Sequence, residues 1–317
     1  VSDTVNKAQA RINILLSLTL LILLLLIWAI LSVVTPSFAT ANNFVNLMRQ
    51  ASLWAIIAIG ETFVIITTGI DLAVGAVVGF AGVIVAMLLK AGVSIWASVL
   101  ITLAVGVAIG AFHGFGVLKL GLPPFIMTLA TLTALHGIGL LMTNGSTISG
   151  LPDAFTDFSR EAFLGIPSLF WMVILVAIPS YVYLHLSRWG RHLFAVGSNA
   201  EAARLSGVNV STTIYTAYIL SSLLAAFAGI LTASRLSMGL ATNGTGWELQ
   251  AIASTVIGGT SLFGAIGSVP GPLLGAILLT TINNGGTLLN VNSFWQLIIT
   301  GGLIIVIVYF DQLRRRR

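Results

Sequence analysis

The sequence predicts an all-α, polytopic integral membrane protein of about ten transmembrane helices, on three observations. Of its 317 residues 57% are hydrophobic and only 7% charged, with a mean hydropathy of +1.05. The apolar residues form successive long windows, of the length that crosses a hydrocarbon layer. The basic residues are distributed unequally between alternate loops. A soluble domain carries about 25% charged residues, because its surface has to be solvated. With 14 basic and 9 acidic side chains, the solvent facing most of this chain has to be lipid.

The first window, Ile12–Val34, is 23 residues interrupted only by Asn13, Ser17, Thr19 and Ser32. A cleavable signal has an apolar region of about 7–15 residues, so this run is expected to be retained as the first span. Windows bounded by Pro, Gly, Asn and charges then give spans near 12–34, 51–70, 72–89, 93–118, 123–143, 169–187, 212–234, 249–266, 269–289 and 294–311. The junctions at Gly69-Ile70-Asp71 and Gly264–Gly271 are so short that broken or re-entrant members stay open there.

Ten spans with a cytoplasmic N-terminus put Lys7, Arg11, Lys119, Arg188, Arg191, Arg204 and Arg314–Arg317 inside. Arg49, Lys90, Arg160 and Arg235 fall outside. The excess of inside cations follows the positive-inside rule and places both termini in the cytoplasm. Residues 144–168 become the external loop and 188–210 the largest cytoplasmic one. No linker divides the chain, so residues 1–317 are one domain. Gly75-x-x-x-Gly79, Gly106-x-x-x-Gly110 and Gly267-x-x-x-Gly271 are faces on which helices approach closely. Val64–Ala76 faintly echoes Val256–Ala265, as repeats do in transporters, though apolar, Gly-rich segments also match by chance.

Several function classes lack their residues. The net charge of +5 and pI near 10 do not make a nucleic-acid surface, because the basic residues are scattered apart from the terminal Arg314–Arg317. That tail reads as a stop-transfer anchor. Without cysteine there is no disulfide framework or thiolate metal site. None of Lys7, Lys90 and Lys119 follows a glycine, so no P-loop is present. His113, His136, His185 and His192 lack metal-ligand spacing, and no Gly-x-Ser-x-Gly elbow occurs.

The informative residues are polar ones in apolar surroundings. An acid at the centre of a span costs roughly 2.5–3.5 kcal/mol on an insertion scale, against about 0.3–0.6 returned by each Leu or Ile. Glu61 and Asp71 therefore face a bundle interior, a partner or water. Asp71 fits either a cap for the helix starting at Leu72 or a substrate contact. Asn283, Asn284 and Gln296, with Thr280, Thr281, Thr287 and Trp295, offer donors and acceptors suited to a hydroxylated ligand or to interhelical bonding. Glu201-Ala202-Ala203-Arg204-Leu205-Ser206-Gly207 reads as a short exposed helix with a glycine stop.

In order along the chain, several of these stretches resemble one family, the ribose/arabinose/xylose/allose-type permeases of bacterial ABC sugar importers. They are AIGETFVIITTGIDLAVG (58–75), PFIMTLATL (124–132), Thr143-Asn144-Gly145, GRHLFAVGSNAEAARLSGVNV (190–210), ELQAIASTVIGGTSL (248–262) and NNGGTLL (283–289). His136, Gln250 and Ala265 depart from the family pattern, where an arginine, an acid and a glycine are usual. The resemblance implies a homodimer in a bacterial inner membrane, a periplasmic sugar-binding protein, and a cytoplasmic ATPase that holds ATP and Mg. It implies no cofactor in this chain. It also implies that 188–210 is the coupling segment, with Glu201, Ala202, Ala203 and Gly207 at the ATPase. Glu61, Asp71, Asn144, Glu248, Gln250, Asn283, Asn284 and Gln296 are then candidates for the substrate pathway. Nucleoside and autoinducer-type importers use related permeases.

The expected function is translocation of a pentose or hexose by alternating access. The alternative is a proton-coupled secondary transporter of a small polar solute, with Asp71 or Glu61 carrying the proton. A membrane enzyme would need a paired catalytic constellation, which the sequence does not show.

Overall fold

Each of the ten windows holds one helix in the computed structural model, which describes the backbone of residues 2–315 and the side chains of 18–306, 308, 309, 311 and 312. The side chains of Lys7, Arg11 and Arg314–Arg317 lie outside the described residues. In chain order the helices of the bundle are α1 (Ser2–Val34), α2 (Ala41–Ile66), α3 (Val74–Lys90), α4 (Ile95–Leu118) and α5 (Pro124–Thr143). After the short α6 (Asp153–Arg160) comes α7 (Ser168–Tyr181), which contains Pro179 and continues as a π-helical turn, Val182–Leu186. Two short helices follow, α8 (Arg188–Ser198) and α9 (Ala200–Leu205). The bundle then resumes with α10 (Val210–Leu236), α11 (Trp247–Ile257), α12 (Pro270–Leu288) and α13 (Ser293–Arg315).

Five of these, α2, α4, α5, α7 with its π turn, and α10, are long and apolar enough to cross a membrane. Leu18–Val34, α3 and Ser293–Val306 are shorter apolar helical stretches. The window 249–266 needs correction. Its helix, α11, has 11 residues and at about 1.5 Å each reaches only about half of a ~30 Å hydrocarbon layer. Residues 258–269 complete the passage without α-helix.

Helix α2 is the axis of the bundle. Residues 51–66 are all buried, and α2 packs against α7, α10, α11 and α12. A helix apolar on every side is one surrounded by protein or lipid. Helices α4 and α10 come closest together, because Gly106 and Gly110 turn bare backbone to α10. A Cβ at Gly110 would meet the Tyr218 carbonyl and the Ile219 backbone. Gly75 and Gly79 serve a different contact, admitting the loop around Ala241–Gly244 and the Glu248 side chain.

The charges sort to opposite ends. Arg49 donates to the Arg160 carbonyl, Arg160 to Ser237, and Arg235 to Gln50, while Lys90 lies beside Gly150. At this end two short antiparallel pairs, 148–149 with 238–239 and 162–163 with 166–167, brace the 144–168 loop. Arg188, Arg191 and Arg204 lie at the other end with α8 and α9.

A single cysteine in place of exposed Ser198 is expected to resist an impermeant thiol reagent in intact cells, and one in place of exposed Ser146 to label. The opposite pattern would invert the topology.

Candidate functional site

A cavity of about 520 Å³ opens where the outer parts of α2, α12 and α13 meet the N-terminus of α11. Gln250, Asn283, Asn284 and Gln296 all line it, so four of the sequence candidates come together. Asn284 and Asn43 exchange amide hydrogen bonds at 2.8 and 3.0 Å, joining α12 to α2. Gln296 donates to the Val291 carbonyl at 3.1 Å. Four further lining residues were not singled out from the sequence: Asn46, Gln50, Trp54 and Arg235. Their apolar context, or in Arg235 its position at a helix end, resembles ordinary packing and anchoring.

The cavity wall carries one cation, Arg235, and no carboxylate. The positive end of α11 also faces it, through Gly246 and Trp247. Amides, hydroxyls and the edge-on rings of Trp54 and Trp247, 6.4 Å apart, complete a lining that solvates a neutral hydroxylated molecule and disfavours a cation.

Glu61 and Asp71 are elsewhere. Both are fully buried in a cluster with His113, Ser221, Thr128 and Tyr218, where residues 67–73 break the path from α2 to α3. The Asp71 N–H donates to the Glu61 carboxylate at 3.1 Å, and the Leu72 N–H to the Thr128 hydroxyl at 3.1 Å. Asp71 accepts from the Ala73 N–H at 3.0 Å and the Ser221 hydroxyl at 2.9 Å, and His113 Nδ1 stands 3.7 Å away. Asp71 thus caps the turn entering α3, one turn before the helix's own first residue, Val74. Asn144 ends α5 in the left-handed region (φ 50°), exposed and away from the cavity. Glu248 sits in the first turn of α11 with its carboxylate against Gly75; it does not line the cavity either.

At the opposite end, Asn199 caps α9 by accepting from the Ala202 N–H at 2.9 Å. Arg204 donates twice to Glu201, at 3.0 and 2.6 Å, and this holds the Glu201 carboxyl below its ordinary range. Gly207 has φ 85° with open space around it, and the Val208 N–H returns to the Ala203 carbonyl, the closure that favours glycine after a helix. Glu201, Ala202 and Gly207 are exposed, Ala203 is buried beneath them, and Leu205 is 75% exposed beside them. Helix α8 sits tightly on the bundle. A Cβ at Gly197 would strike the Ile66 carbonyl at the end of α2, and the Ala265 N–H also donates to that carbonyl at 3.0 Å.

Asp71→Ala is expected to leave the Ser221 hydroxyl and the Ala73 N–H without an acceptor, at about 1–3 kcal/mol each. The melting temperature in detergent should fall by several degrees, and Asp71→Asn should lose less. Equal melting of all three proteins would mean that the break is held by other contacts.

Comparison with known proteins agrees with the resemblance. The ribose import permease protein of Escherichia coli (strain K12) is 41% identical over 295 residues, 92% of each chain. The D-allose transport system permease protein of the same organism is 36% identical over 293 residues, 92% of this chain and 90% of its own. The galactose/methyl galactoside import permease protein of Salmonella typhimurium is 38% identical over 319 residues, 93% and 94% of the two chains. No solved structure matches. The model of one permease family matches residues 43–308, and the chain belongs to that family, described as the branched-chain amino acid transport system / permease component.

Proposed function

We propose that this chain is the membrane-spanning subunit of an ABC importer for a small neutral sugar, and that the cavity between α2, α11, α12 and α13 is part of the sugar's path. One observation carries the reading: a carboxylate-free polar cavity penetrates an otherwise apolar bundle whose relatives are named as import permeases for sugars. Two copies work together in a bacterial inner membrane, with both termini in the cytoplasm. A binding protein delivers sugar to the end bearing Arg49, Arg160 and Arg235. A separate ATPase, which holds ATP and Mg, docks on α8 and α9 at the other end. Its closure rocks the spans between outward and inward openings. Glu201, Ala202, Ala203 and Gly207 form the docking segment. Asn283, Asn284, Gln296 and Gln250 line the path, and Glu61 and Asp71 hold its scaffold.

The buried Glu61, Asp71 and His113 favour a second reading, a proton-coupled carrier. It requires these groups to meet water during transport, whereas the ABC reading requires only the cavity to do so.

Single cysteines at Asn283 and Gln296 are expected to react with small hydrophilic thiol reagents, and one at Asp71 to stay inert in resting and ATP-trapped transporter. Inert cavity positions together with a reactive Asp71→Cys would favour the proton carrier.

For coupling, Gly207→Val places a side chain at φ 85°, a strain of order 1–3 kcal/mol, and Glu201→Arg turns the Arg204 contact into repulsion. Both variants are expected to insert normally, to retain less ATPase on co-purification and to lose uptake. Wild-type uptake and ATPase retention in both would leave α9 as an ordinary solvated helix.

A further inference from the structure

The cavity has two unlike walls. Toward α13 the amides are already engaged, Asn284 with Asn43 and Gln296 with the Val291 carbonyl. Toward α2, α11 and the middle of α12, three buried polar atoms have no hydrogen-bond partner among the described residues. They are Nε1 of Trp54, Oε1 of Gln250 and the hydroxyl oxygen of Thr280. Trp54 and Thr280 are only 7% and 2% exposed. Buried polar groups in folded proteins nearly always have a partner, and three orphans on one cavity wall call for an occupant.

The trio consists of one N–H donor, one carbonyl acceptor and one hydroxyl that does either. Vicinal ring hydroxyls, each both donor and acceptor, match that set. Water would satisfy the polar atoms as well, but it makes no use of the indole faces of Trp54 and Trp247 beside them. A furanose or pyranose ring does, by laying its C–H groups against an aromatic surface while its hydroxyls reach the polar atoms.

We propose that Trp54, Gln250 and Thr280 form a sugar-binding subsite of the permease itself, which reads adjacent ring hydroxyls without help from a delivering protein. The proposal rests on the reading of the cavity as the sugar's path. It goes further by giving this chain a selectivity of its own.

Because the chain has no cysteine, Asn283→Cys gives a single reporter in the cavity. The full chain would be placed in lipid nanodiscs without partner subunits and reacted with a small hydrophilic thiol reagent. At least one of D-ribose, D-allose and D-galactose is expected to slow that reaction about threefold or more at saturation, while isosmolar betaine does not. Adding the isosteric Thr280→Val, or Trp54→Phe or Gln250→Met, is expected to raise the half-protecting sugar concentration about fivefold, the loss of one hydrogen bond. The unprotected reaction rate should stay unchanged, which verifies that the cavity still forms. A reporter that reacts but is protected by none of the three sugars overturns the subsite and leaves the path standing. Protection unchanged in all three variants places binding elsewhere and overturns the subsite too. A reporter that never reacts overturns the path, and the subsite with it.

Discussion

Irregular backbone inside a bilayer survives only where protein or water satisfies its polar groups, and the break at 67–73 is where this chain meets that constraint. The Gly69 N–H returns to the Val64 carbonyl, the Asp71 N–H goes to Glu61, the Leu72 N–H to Thr128 and the Ala73 N–H to Asp71. The Thr128 hydroxyl in turn donates to the Ile70 carbonyl at 3.2 Å. Two carboxylates at zero exposure would be hard to explain as isolated charges; as ligands for peptide N–H groups they replace the helix that the break removes. The cluster draws together α2, α4, α5 and α10, and the bare glycine face of α4 lets α10 close over it.

The same helix joins both ends of the molecule. Ile66, the last residue of α2, lies under Gly197 of α8 and accepts from Ala265. Leu47, Gln50 and Trp54, toward the start of α2, line the cavity. Between them α2 is buried on every side, so its packing leaves little room to bend. Displacement of α8 by a docked partner therefore meets a rigid element that ends in the cavity wall. The passage after α11 belongs to this junction as well, since the Ser261 hydroxyl and the Leu262 N–H both donate to Asp311 of α13 at 3.1 Å.

Hydropathy made the helices legible because a window of apolar residues is distinct from a polar loop whatever surrounds it. It could not separate protein-facing from lipid-facing surface, since both are apolar. For that reason α2 looked like any other span although it is central, and the half-length α11 merged with the apolar residues 258–266. The cavity was legible where amides stand among apolar residues, at Asn283, Asn284 and Gln296. Trp54 and Gln50 were missed because an indole or a lone amide near a span end also serves as an interfacial anchor. Asn144 entered through a family motif, yet its position reflects backbone geometry, a left-handed residue ending α5. Ala265 carries a similar lesson: it replaces a usual glycine and nevertheless holds φ 61°, a conformation that glycine adopts at less cost.

The separation of the buried acids from the cavity bears on where the energy for transport comes from. A proton carrier has to exchange its proton with water on both sides, so its carboxylate must become exposed and lose partners twice in each cycle. Glu61 and Asp71 are the partners of N–H groups that nothing else in the bundle satisfies, and exposing them would undo the break they hold. The cavity, by contrast, presents neutral donors and acceptors whose protonation does not change near neutral pH. Nothing in its wall couples a solute to a proton. The work of moving a solute against its gradient then has to enter from outside the chain. The exposed α8–α9 pair, seated directly on the end of the central helix, is the surface through which it can enter.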